Sequence, residues 1–350
     1  MPAPIWRVGD NAGPTQLNAV AEAWRESGSG SGWSPAALRS GSLPAAVLGL
    51  GILLWWLSVR HPALLPFWAP WDFSPPIYLT TALILFWFGR GLAPATAPAL
   101  GRPPWWRRLA FLLGVALIYA VLQTRFEYWS LHMFFLNRIQ HVVMHHLGPF
   151  LIALGAAGPA IRRGLPPWLS RAIGHPAIAA PIRILQRPVP AAFLFVGLIY
   201  FWLIPGVHFR AMIDPRLYAV MNWSMVLDGV LFWSLVLDSR PRPPARVSFG
   251  ARIALALAVM FPQILLGAAI TFSRTDLYPY YDLCGRLFPS LGALNDQHIG
   301  GVVIWIPPAM MSVVAVLVTI NALRLHEEAI APAGAKGAAP GVLASSWTGR

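Results

Sequence analysis

IALALAVMFPQILLGAAITF, residues 253–272, runs for 20 positions without a charged side chain. A helix needs about 20 mostly apolar residues to cross the roughly 30 Å hydrocarbon core of a bilayer. The stretch therefore reads as a transmembrane helix. The same rule, applied outward along the chain, marks seven more segments at 43–59, 77–92, 109–123, 134–157, 189–205, 217–237 and 299–323. Those at 77–92 and 109–123 are short. Pro262 and the pair Pro307-Pro308 fall inside the last two segments, where neighbouring helices can satisfy the carbonyls that proline frees.

Composition agrees with this reading. Of 350 residues, 57% are hydrophobic and 11% are charged, against about 25% charged in soluble domains. The mean hydropathy is +0.58. A net charge of +13 could suggest a nucleic-acid partner, but it comes from 25 arginines and one lysine set between apolar runs. Such an arrangement orients membrane helices. The two tails and every second connection carry 19 of these cations, and the opposite side carries 7. The positive-inside rule then places both termini of this multi-pass chain in the cytoplasm. An odd number of helices would break the alternation. The expected fold is an all-α polytopic bundle of about eight helices, seven being the next possible count.

Residues 43–325 form the transmembrane domain on this reading. Residues 1–42 form a polar N-tail with a Gly-Ser-Gly-Ser-Gly linker at 28–32 and no apolar leader core, and 326–350 form a disordered C-tail. Cys284 is the single cysteine, so neither a disulfide framework nor a Cys-x-x-Cys site is available. Aromatics such as Trp55, Trp56, Trp105, Trp106, Tyr128 and Trp129 crowd segment ends, as expected at headgroup level. Tyr278-Pro279-Tyr280-Tyr281 in the last outer connection reads as a further interface belt or a docking surface.

Depth then sorts the histidines, and seven of nine fall towards the outer side. His141 and His145 are four residues apart, the spacing that places two imidazoles on one helix face and suits a shared metal ion. His146 points about 100° from His145. His132, His208 and His298 lie at outer helix ends, and Asp296 beside His298 adds a carboxylate. The bland alternatives are interface anchoring or carbonyl hydrogen bonds for the histidines, and a cap on the last helix from Asn295 or Asp296. Asp228 sits mid-membrane and must be paired or protonated, with Arg138 as a candidate partner. Phosphate-loop, Gly-x-Ser-x-Gly and His-Glu-x-x-His motifs are missing, so the chain does not read as an enzyme.

Arg138-Ile139-Gln140-His141-Val142-Val143-Met144, continued by Gly148-Pro149-Phe150-Leu151 and on to Ala156, resembles the signature helix of the CtaG-type cytochrome c oxidase assembly factors. Trp202-Leu203-Ile204-Pro205-Gly206 with Val230-Leu231-Phe232-Trp233, and Tyr278-Pro279-Tyr280 with the run from Asp296-Gln297-His298 to Pro307, follow in the same order. Where the family pattern has histidines, this chain has Asn137, Leu203, Tyr218 and Asn222. The resemblance implies a multi-pass factor of the bacterial inner (plasma) membrane that assists copper delivery or insertion at the outer side, with terminal oxidase subunits and the lipid bilayer as partners. Copper would be the bound metal. Depth and spacing make His141, His145, His298 and Asp296 the core of its site, completed by His132, His146 or His208, although the family pattern does not require His145, His146 or His298. Imidazole nitrogen suits copper, zinc and iron alike. The alternatives are a metal-free scaffold of the same family, a membrane oxidoreductase holding haem between two histidines, and a transporter, for which the in-helix prolines are weak support. Nothing in the pattern indicates nucleic-acid binding or sets an oligomeric state.

Overall fold

The computed structural model describes residues 42–70, 72–93 and 103–330, which form helices without any strand. In chain order these are α1 (Ser42–Arg60), α2 (Pro75–Gly91), α3 (Trp105–Gln123), α4 (Arg125–His132), α5 (Phe134–Val142), α6 (Gly148–Leu154), α7 (Gly158–Gly164) and α8 (Pro167–Gly174). They continue as α9 (Pro176–Leu185), α10 (Pro188–Leu203), α11 (Pro205–Ile213), α12 (Pro215–Val236), α13 (Phe249–Thr271), α14 (Tyr280–Cys284) and α15 (Ala293–Ile330). A π-helical turn, Val143–Leu147, joins α5 to α6. The chain divides into two compact units between Leu53 and Leu54. Of the first unit, the described part is the N-terminal portion of α1. The second holds all the other helices. The Gly-Ser linker, the rest of the N-tail and residues 331–350 of the C-tail lie outside the described residues, whereas 326–330 continue α15 as helix rather than disordered tail.

Each of the eight expected segments falls on a helix. Five helices, α1, α3, α12, α13 and α15, are long and apolar enough to cross a membrane individually, and the total reaches seven if each of two bent pairs is one span. α2 has 17 residues. Sharp bends stand at the edges of two expected segments, at the close of 134–157 and just before 189–205. The helix Phe134–Leu154 turns by 79° into α7, and α9 turns by 78° into α10. Ala156 takes a positive φ of 47° at the first bend. Pro188 opens α10 at the second, where its ring pre-sets the helical φ and pushes the preceding residue out of the helical region. α13 and α15 run through Pro262 and Pro307-Pro308 as single helices. At 1.5 Å per residue, the 38 residues of α15 extend about 57 Å, far more than the hydrocarbon core requires.

The continuous path α5–π turn–α6 forms the centre of the bundle. Most of its side chains between Phe134 and Phe150 are buried, and it packs against α3, α12 and α15. One apolar cluster gathers around Phe134, Trp202, Met221 and Tyr281, and another around Phe195, Phe232, Trp233 and Val259. Helix approach depends on missing side chains. A Cβ on Gly164 would overlap the Trp87 carbonyl, a Cβ on Gly91 would overlap Ala160, and a Cβ on Gly301 would meet Thr271 and the backbone of Gly267.

Gly164→Ala and Gly301→Ala should each lower the thermal midpoint of the purified protein, with a cost of about 1–3 kcal/mol as helices are pushed apart. Gly197 has open space around it, so Gly197→Ala should leave the midpoint unchanged or slightly raised. Equal effects at all three positions would contradict the close-packing assignment.

Candidate functional site

The site begins where α5 and α15 start. The first N–H groups of a helix lack intrahelical acceptors, and Met133 at the N-cap of α5 has no oxygen to offer them. Asp296, more than 160 residues away in sequence, supplies both. Phe134 N–H donates to Oδ2 at 2.9 Å and Phe135 N–H to Oδ1 at 2.8 Å. Arg286 donates to the same carboxylate at 2.5 Å and to Asp282 at 2.8 Å. Asp296 thus caps α5 rather than its own helix, contrary to the sequence expectation. Gln297 Oε1 accepts from Leu277 N–H at 2.7 Å, and its amide nitrogen donates to the Thr275 and Ile270 carbonyls. His298 Nε2–H donates to the Ser273 carbonyl at 2.9 Å. Asp-Gln-His is therefore a clamp that fastens α5 and the 273–277 loop to α15.

Below the clamp, polar side chains line the interior of α5 and the π turn. Arg138 is buried; it donates to Asn137 Oδ1 and lies over the Phe134 ring at 5.0 Å from its centroid. The proposed Arg138–Asp228 pair does not form. Asp228 instead accepts from His145 Nε2–H at 3.0 Å, and His145 stacks on Phe195 with ring centroids 4.1 Å apart. His146 Nε2–H donates to Gln263 Oε1 at 2.8 Å. His208 Nε2 and the Tyr281 hydroxyl are hydrogen-bonded at 3.0 Å. Tyr218 donates to Gln140 Oε1 at 3.2 Å. His141 lines a cavity of about 20 Å³ with Arg138, His146 and Trp202, which is room for a single water molecule.

The π turn re-aims these imidazoles. An i, i+4 pair shares a face only in α-helical geometry, and the wider turn at Val143–Leu147 sends His145 to α12 and His146 to α13. His132 lies apart, with Nδ1 at 2.8 Å from the Tyr128 carbonyl. Among the described residues, no three His, Cys, Asp or Glu side chains are grouped so that they could hold a metal ion. The donor chemistry is suitable for copper, because His141 Nε2 and the Nδ1 atoms of His145, His146 and His208 are buried without a partner. Their arrangement is not. They do not converge, and the Arg138 guanidinium close to His141 and His208 opposes a further cation.

Tyr278, Tyr280 and Tyr281 also differ from expectation. They are buried, with Tyr278 stacked on Phe134 at 4.2 Å and donating to the Leu203 carbonyl. They close this end of the bundle instead of forming an interface belt. Arg286, Gln263 and Gln140 were not apparent as site residues in the sequence, because their partners lie 10, 117 and 19 positions away. Glu127 is another. Burial, reinforced by the Asp72 carboxylate, pushes its carboxyl up to about 8 in the connecting helix α4.

These features define a polytopic helical membrane protein with a clamped, histidine-rich interior. Residues 85–324 match the cytochrome c oxidase caa3 assembly factor (Caa3_CtaG) family, and the chain belongs to it. It is 26% identical over 281 residues to an uncharacterized protein of Mycobacterium leprae, covering 75% of this chain and 40% of that one. It is also 25% identical over 235 residues to uncharacterized proteins of Mycobacterium bovis and Mycobacterium tuberculosis, covering 60% of this chain and 33% of each. The chain thus spans well under half the length of the curated relatives it matches. No solved structure matches it.

Asp296→Ala should destabilise the protein by about 3–5 kcal/mol, because two N–H groups of α5 lose their acceptor and Arg286 keeps only the exposed Asp282. Combining it with Arg286→Leu should recover part of that loss, and strictly additive losses would refute the coupling. Glu127 gives a pH test. Its folded pKa lies above the unfolded value, so the folded state holds the extra proton and stability falls as pH rises from about 4.5 to about 8. Glu127→Gln should flatten the decline in thermal midpoint measured between pH 5 and pH 8.

Proposed function

We propose that this chain is a non-catalytic assembly factor for a caa3-type cytochrome c oxidase, acting as an intramembrane scaffold on oxidase subunits. It crosses the membrane eight times on this reading, counting α2 and each bent pair as one span, with both termini cytoplasmic. The family match across 85–324 supports the assembly role. One observation supports a scaffold over a metal carrier. Asp296, Gln297 and His298, from the last family-like motif, engage both carboxylate oxygens, the whole side-chain amide and Nε2 in internal bonds that hold three segments together.

Copper handling at the outer side is the second reading. The four buried imidazole nitrogens without partners favour it, and loading would require those side chains to regroup. His132, His141, His145, His146, His208, Asp296 and His298 remain its candidate ligands.

A strain lacking this chain should lose assembled oxidase, measured by haem spectra of its membranes and by oxygen consumption with reduced cytochrome c. His141→Ala should restore assembly, whereas Asp296→Ala should not. Unchanged oxidase content without the chain would sink the assembly reading. Copper per purified chain separates the two readings: stoichiometric copper in the wild type, lost in His141→Ala and His145→Ala, would replace the scaffold with a carrier.

A further inference from the structure

A second site lies away from the histidines, at the bend between α9 and α10. No Asp or Glu occurs between Glu127 and Asp214, while residues 158–187 carry Arg162, Arg163, Arg171, Arg183 and Arg187. α8 and α9 have no buried residue, and Trp168, Ile173, Ile178, Ile184 and Leu185 are exposed. On α9, Ile178, Ile182 and Leu185 follow i, i+4, i+7 spacing and form an apolar stripe. Ala180 and Arg183 lie about half a turn away from it.

Arg183, Arg187 and Arg246 meet in an open pocket of about 470 Å³ that also includes Ala180 and Ile184. Arg246 reaches it from the connection between α12 and α13, where it donates to Gln186 Oε1 at 2.6 Å. Among the described residues, none of the three arginines forms an ion pair with a carboxylate. Three guanidinium groups around one space repel each other, and an anion between them would relieve that repulsion.

We propose that this pocket binds the phosphate of an anionic phospholipid, with α9 lying in the membrane interface. The 78° bend sets α9 across the direction of α10, so if α10 crosses the bilayer then α9 runs close to its plane. Val189 and Phe193, immediately after the bend, are 78% and 80% exposed, as acyl-chain contacts would require. The pocket thus stands at the boundary between apolar and basic surface, the depth at which headgroup phosphates lie. Basic amphipathic helices and arginine pockets at such boundaries recognise anionic headgroups by charge and bidentate hydrogen bonding. A soluble anion would satisfy the arginines but would leave the apolar stripe uncovered. The proposal does not depend on the assembly reading.

Native mass spectrometry of the full chain in detergent tests it, with phosphatidylglycerol and phosphatidylcholine titrated separately. The wild type should retain phosphatidylglycerol in preference, and R183Q/R187Q/R246Q should bind it about a hundredfold more weakly. The charge-retaining R183K/R187K/R246K should keep the preference. These side chains are exposed, so all variants should melt at the wild-type temperature; should the triple variant unfold, R187Q alone must still show a graded loss. Equal retention of the two lipids, or undiminished phosphatidylglycerol binding in both glutamine variants, would overturn the proposal. So would displacement of the lipid by millimolar inorganic phosphate, which would identify the occupant as a free anion.

Discussion

Two N–H groups at the start of α5 have no acceptor within their own helix, and in an apolar bundle no water replaces one. The Asp296 carboxylate meets that requirement from the first turn of α15. A buried carboxylate in turn needs a cation, which Arg286 provides. Residues distant in sequence are thus tied at one point, and the rest of this end of the bundle is built around it. Gly300 lies against the Phe134 ring with no room for a Cβ, Tyr278 stacks on the same ring, and Gln297 secures the loop before α14. Losing the carboxylate would leave two N–H donors without an acceptor and leave Arg286 with only the exposed Asp282.

The interior histidines follow the same rule lower in the bundle. Imidazoles packed against Phe195 and Trp233 need hydrogen-bond partners, since an unpaired polar group in apolar surroundings costs about 1–3 kcal/mol. Asp228 and Gln263 meet that need for one nitrogen of His145 and of His146. The second nitrogen of each is left over. Three of the four positions where the family pattern has histidine are also polar: Asn137 accepts from Arg138, Tyr218 donates to Gln140, and Asn222 is buried, while the fourth is the apolar Leu203. The buried Arg138 guanidinium within this network supplies positive charge to the interior beside His141 and His208.

Much of the fold was legible in sequence. All eight apolar segments coincide with helices, because transmembrane length and hydropathy are local properties. The bends that bound segments four and five were not legible: they combine a proline start with an Ala156 backbone conformation that composition does not encode. The site was legible as a list and not as an arrangement. Asp296, His298, His141, His145 and His146 were all marked by depth and spacing. Reading His141 and His145 as a pair assumed α-helical geometry, and the π turn replaced it.

By itself, then, the sequence determined an all-helical membrane protein, its approximate spans, and which polar residues are forced into an apolar interior. Hydrophobicity and charge act through the solvent each residue meets, so their pattern can be read along the chain. Only the tertiary structure decided the partners: Asp296 with α5 and Arg286, His145 with Asp228, His146 with Gln263, and Arg183 with Arg246 across one pocket. Hydrogen bonds and charge pairs act over a few ångströms. Which residues come that close depends on how helices cross and bend, and no local segment carries that information.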